Sequence, residues 1–174
     1  MKQILKLFTL VIIMALFSIN AFSQATASAS ATIINPIAIA KTVDMDFGNV
    51  AVDATPGTVI LDPAGTRTPG GGCTLPAITG TVTAATFNVT GEAGYTYAIT
   101  LPAGVTTISN PGNTASMTVD TWTSSPTPTG TLTGGAETLT VGATLHVAGS
   151  QTPDTYSSSN PGGSGDFTVT VNYN

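Results

Sequence analysis

Apolar and polar side chains alternate one by one through most of this chain. In the final stretch, "FTVTVNYN", the apolar residues Phe167, Val169, Val171 and Tyr173 are separated by threonines and an asparagine. Period two is the repeat of a β-strand that buries one face. Thr, Val and Gly are frequent, while helix-favouring Leu, Glu and Lys are scarce after the first residues. Composition and periodicity therefore both predict strands.

Alternating segments recur at spacings of about 10–15 residues, and clusters of Gly, Pro, Asn and Asp separate them. Roughly eight or nine short strands with turns between them are typical of a sandwich of antiparallel sheets. We therefore predict an all-β fold over residues 24–174, a single antiparallel β-sandwich of the immunoglobulin-like or pilin-like kind. About 150 residues are enough for one domain with a substantial core.

The apolar parity of the alternating segments predicts which side chains form the core. Cys73 is the one cysteine of the chain, so an intramolecular disulfide is excluded. Stability must therefore come from packing and strand pairing. The side chains that we expect to be buried are Phe47, Phe87, Ile99, Leu145 and Val169.

Residues 1–23 have the pattern of a secretory signal peptide. Two lysines precede an apolar run from Leu7 to Ile19, and Ala21 and Ser23 are small residues at the positions that a signal peptidase recognises. The run is shorter than the roughly 20 residues that a membrane span needs; a retained anchor is the alternative. We expect cleavage after Ser23, no membrane span in the mature protein, and a secreted, cell-surface or periplasmic location.

The charge of the chain excludes two classes of partner. After the signal peptide, Lys41 and Arg67 are the only basic side chains, against nine acidic ones. Two cations cannot neutralise a row of phosphates, so nucleic acid is excluded as a partner. Attraction to an anionic membrane surface is not expected, for the same reason.

The mature chain opens with a predicted extended strand segment, residues 24–42. Small apolar residues alternate with Thr and Ser as far as Ile33, and Pro36 then interrupts the run. A strand that contains proline belongs at a sheet edge or at a switch between sheets. Residues 24–33 either pair within their own domain, which we favour, or complete the sheet of another subunit. The C-terminal strand, residues 167–173, is their natural neighbour.

Few side chains are candidates for chemistry. Asp44 and Asp46 form an Asp-x-Asp pair, but calcium needs six or more oxygens, and outward acids also keep an edge strand soluble. A triad or a zinc site would have to be built around His146 alone, the single histidine. Cys73 lies in a glycine loop, and a catalytic thiol needs a base nearby. We assign no catalytic, cofactor-binding or metal-binding residue and predict that the protein is not an enzyme.

Four aromatic side chains bear on sugar binding, because aromatic rings could line a platform for a sugar. Tyr95 and Tyr97 share the apolar parity of their strand, which predicts that they belong to the core. Trp122 has the polar parity of Asp120, so we expect it to be exposed. The fourth aromatic is Tyr156.

Several stretches carry a family resemblance. Ile34-Asn35-Pro36-Ile37, then Asp44-Met45-Asp46-Phe47-Gly48, the middle "TFNVTGEAGYTYAITLP" and the ending "FTVTVNYN" occur in that order. They resemble the bacterial exported proteins catalogued as domain of unknown function 4402, over essentially the whole mature chain. That family has no assigned activity, so the resemblance implies a compartment and a fold but no catalytic residues.

The layout is more distantly similar to subunits of chaperone–usher pili and to spore-coat-like proteins. Those also begin with a small-residue extension and end on an alternating strand. This chain departs from such pilins because it lacks their cysteine pair, and its loop at residues 148–164 is long. We therefore expect an exported, non-catalytic structural β-sandwich, a surface or filament-forming subunit that pairs strands with copies of itself or related subunits. The alternative is a secreted carbohydrate- or ligand-binding module.

The signal peptide generates a first testable prediction. Protein purified from its native host should begin at Gln24, because the peptidase site ends at Ser23. Intact-mass spectrometry measures this directly. A mass that still includes residues 1–23 would contradict the prediction and favour the retained anchor.

Overall fold

The computed structural model describes residues 1–6 and 23–174, which divide into two compact units, residues 1–33 and 34–174. In the first unit, residues 2–6 are helical, and residues 23–33 have no regular secondary structure. The apolar run of the predicted signal peptide lies outside the described residues. Within the described part, no helix is long and apolar enough to cross a membrane.

The regular secondary structure of the second unit is almost entirely β-strand, which confirms the predicted all-β sandwich with slightly more strands than expected. A single 3-10 turn lies at Thr133–Gly135. The strands are β1 Ala38–Val43, β2 Ala51–Leu61, β3 Arg67–Thr74, β4 Ala85–Thr90, β5 Thr96–Thr100, β6 Thr106–Ser109, β7 Ser116–Ser125, β8 Thr129–Thr131, β9 Ala136–Val147 and β10 Thr170–Tyr173.

The strands form two antiparallel sheets of unequal size. The large sheet has seven strands with β9 in the middle, and the small sheet has three, in the order β10-β5-β8. One edge of β9 pairs first with β4 and then with β2, and its other edge pairs with β7. The outer strands of the large sheet are β1 beside β4, β3 beside β2 and β6 beside β7.

Gly142 marks the point on β9 where one partner strand replaces the other. Val141 pairs with Ala85 of β4, and Ala143 pairs with Leu61 of β2. A Cβ atom at Gly142 would lie 2.2 Å from the carbonyl oxygen of Leu61. Only glycine lets the end of β2 approach this closely, so the residue type fixes where the two strands meet.

Two hydrophobic clusters follow from this division of β9. The first cluster lies between the two sheets and includes Phe87 of β4, Tyr97 of β5 and Val171 of β10. The second cluster, around Val59 and Leu145, contains no residue of β5, β8 or β10. The small sheet therefore covers one half of the large sheet, and loops cover the other half.

A buried hydrogen bond ties the small sheet to β9. The hydroxyl of Tyr97, which is fully buried, donates to Oε2 of Glu137 at 2.9 Å. The same carboxylate oxygen accepts the backbone N–H of Thr131 in β8 at 2.7 Å. Burial, and then the bond to Glu137, raise the pKa of Tyr97, so the phenol stays neutral and remains a donor.

The predicted core is confirmed for three of its five side chains: Phe87, Leu145 and Val169 are buried. Phe47 and Ile99 are half-buried instead. Phe47 lies in the loop between β1 and β2, against the cluster that the small sheet does not cover. Ile99 packs against the margin of the first cluster. Parity predicts which way a side chain points but not whether a second layer covers it.

Two predicted strands are shorter than expected. Within residues 24–42 only Ala38–Val43 forms a strand, and residues 23–33 are exposed and have no regular secondary structure. The pairing of residues 24–33 stays a prediction. Small Ala and Ser side chains bury too little area to offset a backbone ordering cost of about 1–2 kcal/mol per residue. At the other end only Thr170–Tyr173 is strand, and its partner is β5.

The parity of β4 yields a prediction about stability. Phe87→Ala should lower the free energy of unfolding by about 3–5 kcal/mol, because it leaves a cavity between the sheets. Asn88→Ala, one residue along on the exposed face, is the matched control and should change it by less than about 0.5 kcal/mol. Urea unfolding measures both. Similar losses for the two variants would contradict the inward placement of Phe87.

A candidate binding groove

An open groove of about 1220 Å³ runs from the margin of the first cluster, at Phe87 and Val169, over the second cluster, where loops lie on the large sheet in place of the small sheet. Its floor is the inner face of β4, β6, β7 and β9. Two loops form its walls, residues 44–50 between β1 and β2 and residues 151–159 after β9. The apolar side chains that line the floor include Phe87, Ile108, Met117, Val119, Leu145 and Val147.

The first wall is held in place by its own polar contacts. Asp46 Oδ1 accepts the N–H of Gly48 at 2.8 Å, and Gly48 adopts a left-handed φ of +64°. Nη1 of Arg67 donates to the carbonyl oxygens of Phe47 at 2.7 Å and Asn49 at 2.8 Å. A guanidinium shared between two carbonyls fixes a loop strongly, because its donors are charged and rigidly arranged.

Asp44 and Asp46, the predicted Asp-x-Asp pair, therefore have separate structural roles. Asp44 forms an ion pair with Lys41, whose pKa it raises through the hydrogen bond and the charge. Asp46 closes the turn at Gly48. Among the residues that the structure describes, no group of three or more His, Cys, Asp or Glu side chains is arranged to hold a metal ion.

The second wall is pinned to the edge of β6. Ser109 and Ser157 exchange two backbone hydrogen bonds of 3.0 Å. The Ser109 hydroxyl, fully buried, donates to the carbonyl of Pro161 at 2.7 Å, and Asn160 Nδ2 donates to the carbonyl of Ser109 at 2.7 Å. Asp154 accepts from Asn110 Nδ2 at 3.2 Å. The long loop predicted at 148–164 thus acts as an added layer over the open half of the sandwich.

The aromatic candidates lie in different environments. Trp122, predicted to be exposed, is half-buried in the groove: its ring packs on Phe167 at 4.4 Å between centroids, and its Nε1 donates to the Gly104 carbonyl at 3.1 Å. Tyr97 is buried as predicted, whereas Tyr95, also predicted to be core, is 45% exposed. Tyr95 lies before β5 begins and packs edge-on against a terminal tyrosine, Tyr173, at 5.7 Å.

His146 and Cys73 lie in different environments and are not brought together. Nε2 of His146 is 2.8 Å from Oδ1 of Asp120, and both side chains are partly exposed. Hydrogen bonds from His146 and Thr121 lower the pKa of Asp120. Cys73 is buried in the second cluster, where burial, and then the charge of Asp53, raise the pKa of its thiol. A thiol held in its protonated form is a poor nucleophile.

The groove combines an apolar floor with an acidic rim. The one basic side chain among its lining residues is Lys41, which is already paired with Asp44. An anionic ligand would therefore meet repulsion, and an uncharged one would not. The acidic side chains of the lining are Asp44, Asp46, Asp154 and Asp166.

A group of polar contacts that the sequence did not predict joins both ends of the domain. The Tyr173 hydroxyl donates to the carbonyl oxygen of Asn35 at 2.8 Å and accepts the N–H of Glu92 at 2.6 Å. Oε2 of Glu92 accepts from the backbone N–H of Asn35 at 3.0 Å and from its Nδ2 at 2.8 Å. A Cβ at Gly91 would lie 2.3 Å from the tyrosine oxygen. The order of the short motifs was the only sequence signal for these contacts. Periodicity could not predict them, because the fold brings together partners this far apart.

The geometry defines a β-sandwich protein whose second layer is incomplete. A family model described as "Domain of unknown function (DUF4402)" matches residues 37–173, so the chain belongs to that family, as its motifs suggested. No curated protein and no solved structure gives a significant match. The family description carries no activity, so function must be argued from the groove.

The first wall generates a stability prediction. Gly48 and Gly65 both have positive φ, +64° and +84°, so replacing either with alanine should cost about 1–2 kcal/mol. A Cβ at Gly48 would also lie 2.3 Å from the Thr79 carbonyl oxygen, whereas nothing lies within 4 Å at Gly65. Gly48→Ala should therefore lose about 1–3 kcal/mol more than Gly65→Ala in urea unfolding. Equal losses would contradict the close packing of this wall.

Proposed function

We propose that this protein is an exported, non-catalytic structural subunit of the bacterial cell surface, which assembles with other copies or related subunits by strand pairing. The observation that carries the proposal is the groove itself. Over the second cluster the large sheet is covered by loops and not by a second sheet, and Ile108, Met117 and Trp122 along the groove are only partly buried. A strand from another chain is the element that would complete the second layer there.

The remaining side chains support a structural role over catalysis. The thiol of Cys73 is buried, and the ring of His146 is bonded to Asp120 away from that thiol. The two basic side chains of the domain are also engaged, Lys41 with Asp44 and Arg67 with backbone carbonyls. Neither is free to bind phosphate, which supports the exclusion of nucleic acid.

A secreted carbohydrate- or ligand-binding module is the second candidate, favoured by the presence of Trp122 and Tyr156 along the groove. Its support is weaker because Phe167 packs on the ring of Trp122. A sugar platform needs an open aromatic face. The hydroxyl of Tyr156 is also engaged, with the carbonyl of Thr152 at 2.7 Å.

Fractionation of the native host tests the proposal. The protein should be found in the surface fraction, should be digested when intact cells are treated with protease, and should migrate as multi-copy species until boiled. Recovery in the cytoplasm would contradict export. Recovery outside the cell as a monomer that is retained on a polysaccharide resin would instead support the binding module.

A further inference from the structure

We propose that the outer edge of β10 and of the residues just before it, 167–173, pairs antiparallel with the same edge of a second copy of this chain and forms a symmetric dimer. The inference rests on the proposed function, because it names the surface through which two copies would join. Below, residues 167–173 are called the terminal edge. The small sheets of the two copies, in the order β10-β5-β8 in each, would become one continuous sheet.

The outer edges of the large sheet are protected against pairing with another chain. Proteins usually protect such edges with bulges, prolines, charges, short strands or covering loops. Here β1 has a bulge between Lys41 and Val43, and β3 contains Pro69, which has no N–H to donate. The part of β7 that extends beyond β6 has a bulge between Asp120 and Thr123, which bends the strand.

The edge of β6 is covered by the loop that follows β9. The N–H of Thr107 donates to Oγ of Ser164 at 2.9 Å, and its carbonyl oxygen accepts the N–H of Ser164 at 3.0 Å. Ser109 exchanges two backbone hydrogen bonds with Ser157. The side of β6 that faces away from β7 is therefore already paired. In the small sheet, the outer strand β8 is only three residues long.

The terminal edge has none of these protections. It contains no proline, no glycine and no charged side chain. Its pairing with β5 has an unbroken register from Thr170 to Tyr173, and no other strand of the described chain lies beside β10 in its sheet. Its first residues line the open groove, which leaves this end of the edge accessible.

The backbone groups of the terminal edge alternate between β5 and the outside. Successive residues of an antiparallel strand turn their N–H and C=O groups to opposite sides. In β5 the N–H of Ile99 donates to the carbonyl of Pro128 on the β8 side at 3.0 Å, so Ala98 turns toward β10, where its partner is Asn172. The odd-numbered residues of the terminal edge therefore turn outward, and within the described residues no hydrogen bond reaches their backbone groups.

A second copy fits this edge because the edge is self-complementary. When two terminal edges pair antiparallel over their full length, Thr170 lies opposite its own equivalent and Val169 lies opposite Val171. Both valines turn their backbone groups outward, so they form a hydrogen-bonded pair. Phe167 then lies opposite Tyr173, and the apolar side chains of both copies stay on the inner face.

Charge and symmetry also favour this partner. The terminal edge carries no charge, so two edges can approach each other although the chain as a whole is acidic. The two copies of Asp166 would lie at opposite ends of the pair, about 27 Å apart, which is well beyond the Debye length of about 8 Å in physiological salt. A contact of this two-fold kind uses both edges and closes on itself, so it produces a dimer.

Single cysteines test this register with a matched control. Directly opposite residues of a non-hydrogen-bonded pair have Cα atoms about 4.5 Å apart, which a disulfide can span. In the mature chain that begins at Gln24, Thr170→Cys should therefore give a disulfide-linked dimer on mild oxidation. Thr168→Cys should give at least about tenfold less, because its two copies would lie about 14 Å apart.

Two further chains complete the set. The double variant Thr168→Cys/Asn172→Cys should link again, because these residues lie opposite each other in the paired copies. The wild type should not link, because its one thiol, Cys73, is buried. The three substituted positions are exposed, so the variants should keep the wild-type fold. Non-reducing electrophoresis measures the linked fraction.

Amide hydrogen exchange tests the pairing without any substitution. As the wild-type concentration rises, exchange at Val169 and Val171 should slow by at least about tenfold, because their N–H groups become bonded to the second copy. The N–H groups of Thr170 and Asn172 already face β5, so their exchange should change by less than about twofold. Sedimentation velocity should show a monomer–dimer equilibrium over the same concentrations.

The remaining outcomes separate this inference from the proposed function. Equal linkage of Thr170→Cys and Thr168→Cys, or linkage of neither, would overturn the terminal edge as the contact. Oligomers that persist in that case would leave a structural subunit that joins through another surface. Linkage that appears only after residues 24–33 are removed would assign the edge to that segment and overturn pairing between copies. A protein that never leaves the cytoplasm would instead count against the proposed function.

Discussion

The two-sided pairing of β9 is the constraint on which the rest of this structure depends. Along one edge its partner changes from β4 to β2 at Gly142, while β7 runs along the other edge. The half of β9 that pairs with β4 contacts the small sheet through the hydrogen bond between Tyr97 and Glu137. The half of β9 that pairs with β2 is covered only by loops. The division into two cores, and with it the groove, follows from where one strand changes partners.

Loops can replace a second sheet only if their own polar groups are satisfied. Here Asp46 and Arg67 fix one loop and Ser109 fixes the other, through hydrogen bonds to backbone groups. No side-chain polar atom buried within the described residues lacks a partner. Such contacts hold the walls apart as well as in place, because breaking them would leave buried donors and acceptors unpaired. The groove is therefore part of the fold rather than a gap in its packing.

The direction in which a side chain faces was predictable from the sequence at Phe87, Leu145 and Val169, which are all buried as their apolar parity predicts. Prediction failed where the layers end. Phe47 and Trp122 lie at the groove. Apolar and polar side chains still alternate there, but loops replace the small sheet as the layer over them. The pinned loop at 151–159 and the contact between Asn35 and Tyr173 were not predictable, because sequence periodicity carries no information about partners that are distant in the sequence, here 44 and 138 residues apart.

The sequence by itself determined that this chain forms strands, how their faces alternate, that no disulfide can hold them, and which family it belongs to. Each of these depends on local stereochemistry, composition or ordered motifs. Only the tertiary structure shows that the strands form sheets of seven and three and that β10 pairs with β5 from Thr170 onward. The physical reason is that an alternating strand is stable only when a partner edge and an apolar layer are both within reach, and only the folded chain supplies them.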